Sequence, residues 1–173
     1  MPRVLLGLGS NVGDRLVNLQ SAIRELRHVI DVDAVAAVYE TAPMYVVDQP
    51  SFLNSALAGR TSLSPRALLF QLKAAEERIG RVSGERFGPR MIDIDLLSYG
   101  ALAYRFVDRG ELKLQVPHPK IAERRFVLAP LAELDSGAML PGLGVVAGLL
   151  ERTNDQADSV TRVKDAVLSI HSN

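Results

Sequence analysis

The sequence contains no cysteine, which excludes a disulfide framework and every thiolate metal site. It also lacks net charge: Lys plus Arg and Asp plus Glu both number 20 in 173 residues. No global field therefore recruits nucleic acid or an anionic membrane, and any phosphate site has to come from arginines clustered locally. No apolar run approaches the ~18 residues of a membrane span. The opening Met1-Pro2-Arg3-Val4-Leu5-Leu6 meets Gly7 at once, too soon for the apolar region of a secretion signal. Repeats and low-complexity segments are absent. What remains, at 47% hydrophobic and 23% charged residues, is an ordinary globular composition. The expectation is one cytoplasmic domain over 1–173, with a polar tail after about residue 153.

Val4 to Leu8 is a short apolar run ending in glycines, and reads as a buried strand. Asn11 to Asp14 offers turn and cap chemistry. Leu16, Leu19, Ile23, Leu26 and Ile30 then follow at helical spacing. Val32 to Thr41 is expected as a second strand and Phe52 to Arg60 as a third. Ser64-Pro65 predicts a helix start, Ser as cap and Pro at the first turn, with Leu68, Leu72, Ala75 and Ile79 on one face. Met91 to Tyr99 resumes as a strand, and Asp108-Arg109-Gly110 turns between Phe106-Val107 and Leu112-Lys113-Leu114. A helix interrupted by Pro130 is expected from Ile121 to Leu134, and a last short helix from Gly144 to Glu151. The order strand–helix–strand–strand–helix–strand argues an α+β sandwich, ferredoxin-like, with helices packed on a largely antiparallel sheet.

The segment Arg90-Met91-Ile92-Asp93-Ile94-Asp95-Leu96-Leu97 carries the sharpest chemistry. Side chains alternate along a strand, so Asp93 and Asp95 share one face and Ile92, Ile94 and Leu96 the other. Like charges ~7 Å apart repel unless a cation lies between them. Two Mg²⁺ ions suit such a pair, completed by water and phosphate oxygens; a solvated edge strand is the plainer reading. Upstream lies a loop from Gly80 to Arg90 with three glycines and the arginines Arg81, Arg86 and Arg90. A charged surface loop alone would carry no function, but beside the aspartates it has the parts of phosphoryl transfer. It is expected to fold over bound ATP. Phe52 and Asn54 fall on one face of their strand, a stacking ring beside an amide that suits a flat heterocycle; Phe at such a place also serves as core. Val116-Pro117-His118-Pro119 holds a histidine between prolines, followed by Arg124, Arg125 and Phe126.

Taken together, the chain resembles the 6-hydroxymethyl-7,8-dihydropterin pyrophosphokinases. The resemblance rests on Gly9-Ser10-Asn11-Val12-Gly13-Asp14-Arg15, Asp48-Gln49-Pro50-Ser51-Phe52-Leu53-Asn54, Glu85-Arg86-Phe87-Gly88-Pro89-Arg90 with Asp93 and Asp95, and Val116-Pro117-His118-Pro119 with Arg124 and Phe126. It implies transfer of pyrophosphate from ATP to the pterin alcohol with release of AMP, in folate biosynthesis. It also implies roles. Asp93 and Asp95 would bind both magnesium ions, and Arg81 and Arg90 would engage the triphosphate and assist catalysis. Arg86, Lys113, His118 and Arg124 would contact ATP. Phe52 and Phe126 would sandwich the pterin, Asn54 would read its edge, and Thr41, Pro43, Met44 and Phe87 would line its pocket. No residue reads as an independent general base. The implied partners are small molecules only, without nucleic acid or membrane, for a monomer.

Three positions depart from the family pattern. Ser83-Gly84 stands where another basic residue is common, Phe87 replaces a frequent Trp, and Tyr45 replaces a common Gly. They touch loop closure and nucleotide grip, hence rate and affinity and not the reaction. Two rival readings fail on the residues. A dinucleotide fingerprint starting at Gly7 needs glycine at position 12, where Val12 stands, and no Gly-Lys-Ser/Thr occurs. A nucleic-acid-binding ferredoxin-like sheet needs basic and aromatic strand positions, yet aromatics are 5%.

Overall fold

A computed structural model describes residues 1–42, 49–80 and 90–171. The chain opens with β1 (Arg3–Ser10), whose alternate residues face two different layers. Helix α1 (Arg15–Leu26) follows, capped by Asp14, whose Oδ1 accepts the Val17 N–H at 3.1 Å. The helix stops at Leu26, so Ile30 belongs to the succeeding turn but is still buried.

The single strand expected over 32–41 is two strands, β2 (Asp31–Val35) and β3 (Tyr39–Thr41). The reason is a distant side chain. The Ala37 N–H donates to Glu133 Oε2 at 3.2 Å instead of to a neighbouring strand. Both pieces lie against β4 (Phe52–Arg60), β2 at its end and β3 at its start. Helix α2 (Pro65–Ile79) starts as expected: Ser64 Oγ accepts the Ala67 N–H at 3.3 Å, and Pro65 fills the first position. It ends at Gly80 with φ 106°, a left-handed cap that glycine adopts without strain.

Strand β5 (Asp93–Tyr99) is shorter than the expected 91–99. A hairpin of β6 (Tyr104–Asp108) and β7 (Glu111–Val116) turns at Arg109 and Gly110, φ 50° and 80°. Two successive positive φ values match the twist of a two-residue hairpin. After a short 3₁₀ turn (Ile121–Glu123), α3 (Arg125–Asp135) runs through Pro130 without a break, correcting the expected interruption. Pro130 removes one donor, that for the Phe126 carbonyl, and is itself buried. Gly144 and Val145 form β9 with β8 (Met139–Leu140), so the last helix, α4, covers only Val146–Glu151. The segment after Thr153 folds into a 3₁₀ turn and β10 (Val160–Arg162).

The main sheet runs β10-β3-β4-β1-β5, with β2 also on β4, and all of its pairings are antiparallel. Its core, β5-β1-β4 followed by β2 and β3, is the ferredoxin-like order expected from the sequence. One face of the sheet packs Val4, Leu6 and Leu8 with Leu19, Ile23, Leu68, Leu72 and Ile94. The other packs Leu5, Ala56, Ala58 and Leu97 with Leu128 and Leu131 of α3 and Leu149 of α4. Along β1, therefore, Leu5 is covered by α3, whereas Gly7 and Gly9 on the same face open into a cavity. No described helix is long and apolar enough to cross a membrane.

Gly59 marks where the sheet is tightest. It lies between Val4 and Val32, and a Cβ there would stand 2.6 Å from the Asp31 carbonyl oxygen. Gly59→Ala is expected to cost about 1–3 kcal/mol, read as a lower urea midpoint with an unchanged slope.

Candidate active site

Three neighbouring strands and the start of α3 converge on a cavity of about 270 Å³. From β1 come Gly7 and Gly9, from β4 Phe52 and Asn54, and from β5 Asp93 and Asp95. The register aligns them, since Gly9 pairs with Asn54 on one side and Asp93 on the other. Gly9 is small for a reason: a Cβ there would approach Asn54 Oδ1 to 3.2 Å. Asn54 is buried and its Nδ2 donates to Thr41 Oγ1 at 2.8 Å. That bond fixes the amide orientation and leaves Oδ1 as the acceptor. Phe126 joins from the first turn of α3, so this end of the cavity has two rings, a fixed amide and a hydroxyl.

The other end is charged. Arg90 Nη1 donates to Asp93 Oδ2 at 2.7 Å. Burial, then the neighbouring Asp93 charge, raises Asp95 to a pKa of about 6, with Lys73 and Arg124 opposing the rise. His118 is shifted the other way, to about 4, chiefly by burial and next by the Arg124 charge. It is therefore neutral at pH 7. The Lys120 N–H donates to its Nδ1 at 3.3 Å, which assigns the ring proton to Nε2 and makes the side chain a donor. The His118 N–H bonds the Leu97 carbonyl at 2.9 Å, tying this segment to the end of β5. Arg124 lies over Phe126, 5.6 Å from the ring centroid, and its buried Nε has no hydrogen-bond partner among the described residues. An orphaned guanidinium N–H next to a cavity is what an anionic ligand would satisfy.

Chains related to this one match most of its length. A family model described as 7,8-dihydro-6-hydroxymethylpterin-pyrophosphokinase (HPPK) matches residues 5–136. The chain belongs to this family. The mitochondrial folate synthesis bifunctional protein of Pisum sativum is 50% identical over 132 residues, covering 76% of this chain and 25% of that protein. The 2-amino-4-hydroxy-6-hydroxymethyldihydropteridine pyrophosphokinase of Aquifex aeolicus is 40% identical over 141 residues, covering 82% of this chain and 85% of that one. The chain thus spans about a quarter of its bifunctional relative, and most of the shorter one. Among solved structures, wild-type Plasmodium falciparum HPPK-DHPS has a TM-score of 0.74 at 14% identity, covering 91% of this chain and 45% of that one. At that identity the likeness concerns the fold.

Of the site residues that the family resemblance nominated, Thr41, Phe52, Asn54, Arg90, Asp93, Asp95, His118, Arg124 and Phe126 all line the one cavity. Pro43, Met44, Arg81, Arg86 and Phe87 lie outside the described residues. Lys113 sits on β7 away from the cavity lining, its Nζ bonded to Glu111. Three residues received no role in the sequence reading, although Asn11 and Gln49 stand in the motifs it rests on. Gln49 lines the cavity. Asn11 is buried and bonds both Gln49 Oε1 and the Pro50 carbonyl, while its Oδ1 accepts the Arg90 N–H at 2.7 Å. Glu76 is buried on α2. The Leu68–Leu72 spacing continues to position 76, a signal that was there to be read.

The raised pKa of Asp95 has a consequence for stability. In the unfolded chain the group titrates near 3.8, so above pH 6 the fold holds a charge it disfavours. The destabilisation is present above about pH 6 and disappears as pH falls towards 4. Asp95→Asn is therefore expected to stabilise the metal-free protein at pH 8 by roughly 1–3 kcal/mol and to have little effect at pH 4. Thermal melts at the two pH values check this.

Proposed function

We propose that the chain transfers pyrophosphate from ATP to 6-hydroxymethyl-7,8-dihydropterin, releasing AMP, as a step of folate biosynthesis. The observation that carries this reading is the two-ended cavity, with rings and an amide at one end and carboxylates and guanidinium groups at the other. The pterin lies between Phe52 and Phe126, with Thr41 and Asn54 at its polar edge. The triphosphate meets Arg90, the orphaned Arg124 Nε–H and the Nε2–H of His118.

Asp93 and Asp95 suit magnesium: both are hard oxygen donors on one strand face, and no group of three His, Cys, Asp or Glu competes among the described residues. Two ions are proposed. When bound, they supply charge that offsets the phosphate oxygens and polarises the transferred group. The chain's own residues orient. The stacking plates and the amide aim the hydroxymethyl oxygen at the β-phosphorus, and the arginines keep the triphosphate in line with it. A bond forms from that oxygen to the β-phosphorus as the bond to the oxygen bridging the α-phosphorus breaks, and AMP leaves with the bridging oxygen. His118 does not serve as base, since its Nδ1 is already an acceptor and Nε2 carries the proton. The hydroxyl proton is released to solvent or to a carboxylate of the pair. Arg81, Arg86, Pro43, Met44 and Phe87 belong to the same proposal through the family pattern, as do a monomeric state, a cytoplasmic location and small molecules as the only partners. Lys113 is retained as an ATP contact only on that pattern.

Incubation with ATP, Mg²⁺ and the pterin alcohol is expected to give AMP and a pyrophosphorylated pterin; ADP as product would contradict the reading. A folded Asp93→Ala, Asp95→Ala double variant should lose turnover by orders of magnitude. Phe126→Ala is expected to weaken pterin binding by ~1–3 kcal/mol, the range for stacking on an aromatic plate, and ATP binding much less. Titration of each ligand separately reads this out, and equal losses would make Phe126 a core residue.

A further inference from the structure

Among the described residues Glu76 is the Asp, Glu, Lys or Arg most completely withdrawn from solvent, at 1% exposure. Such burial is costly unless the carboxylate is fully engaged. Its Oε1 accepts the backbone N–H of Ile94 at 2.7 Å and the Lys73 ammonium at 2.8 Å. Ile94 is the residue between Asp93 and Asp95. Among the described residues strand β5 pairs with β1 alone and forms the edge of the main sheet, so an N–H turned away from β1 meets no described strand. Glu76 supplies the missing acceptor from α2. Fixing this N–H fixes the peptide plane that joins Asp93 to Ile94, and with it the direction of both carboxylates across the strand.

The charge is balanced locally. Lys73 lies one turn before Glu76, half-exposed, and shares the same oxygen. Both act on Asp95 through space with opposite sign, Lys73 favouring its charged form and Glu76 opposing it. The pair thus gives a strong, charge-assisted acceptor under β5 while adding little net charge to the site.

We propose that Glu76 is a positioning residue for the metal-binding pair, setting Asp93 and Asp95 through the Ile94 N–H, with Lys73 as its counter-ion. The inference rests on the reading that Asp93 and Asp95 bind magnesium. Support from α2 makes the site rigid at the point where two like charges would otherwise push the edge strand open. Residues that orient metal ligands from behind are needed for affinity although they never touch the metal.

The wild-type protein gives the first test. The Ile94 amide is expected to exchange as slowly as the β5 amides bonded to β1, followed residue by residue by NMR; exchange at the rate of an open edge overturns the proposal. Variants give the second, with Mn²⁺ as probe in the presence of a non-hydrolysable ATP analogue. Glu76→Ala is expected to weaken Mn²⁺ binding by about tenfold or more and to leave pterin affinity nearly unchanged, since the stacking plates stand on β4 and α3. Glu76→Gln retains an oxygen acceptor and is expected to keep Mn²⁺ affinity within about threefold of wild type. It also stands in if the alanine variant fails to fold. Wild-type Mn²⁺ affinity in Glu76→Ala, or loss of binding in a folded Glu76→Gln, overturns the proposal. Asp95→Asn separates the two readings. Undiminished Mn²⁺ binding there would remove the metal site itself. Binding lost in Asp95→Asn but kept in Glu76→Ala would remove only the role of Glu76.

Discussion

Two carboxylates of like charge stand side by side on an edge strand, and much of the surrounding structure serves to hold them there. Neither burial nor the partner's charge favours Asp95 in its ionised form. The arrangement persists because cations and backbone bonds surround it: Arg90 on Asp93, Arg124 and Lys73 near Asp95, and the Glu76 bond to the residue between. A fold that bears such a local cost at a cavity wall gains a site ready for cations. Apolar residues on the opposite face of β5, Ile94 and Leu96, anchor the strand while the aspartates look outward into the cavity.

The same economy of space explains the division of the cavity. Strand β1 lies inside the sheet, between β4 and β5, and presents Gly7 and Gly9 where larger side chains would fill the site. On one flank β4 contributes the ring and amide, on the other β5 contributes the charges. Helix α3 covers the sheet at Leu5 and Leu97, and its start brings the cap residue Arg124 and Phe126 to the opening. A ligand with a flat polar ring at one end and phosphates at the other would meet matching chemistry without any strand having to move.

Much of this was legible in sequence, for local reasons. Alternation in Ile92-Asp93-Ile94-Asp95-Leu96 encodes a two-faced strand, and both faces are where the period places them. Ser64-Pro65 encodes a helix start through its own hydroxyl and ring. What escaped depends on partners far along the chain. The break after Val35 is set by Glu133, 96 residues away from Ala37. Helix α3 passes through Pro130 because the surrounding helix is held by packing against the sheet, which no propensity reports. Asn11, in a segment that read as turn chemistry, is a hub between Gln49-Pro50 and Arg90 only once the three segments meet. Glu76 falls on an apolar stripe as a charge, a local inconsistency explained by the edge of β5.

In the proposed site a single face of β5 gathers metal and phosphate while the pterin lies towards β4. A crystal structure with Mg²⁺, a non-hydrolysable ATP analogue and the pterin alcohol tests it directly. Metal is expected within about 2.0–2.1 Å of oxygens from both Asp93 and Asp95, the triphosphate against Arg90 and Arg124, and the pterin between Phe52 and Phe126. Metal and nucleotide bound elsewhere, with the two aspartates left facing solvent, would contradict it.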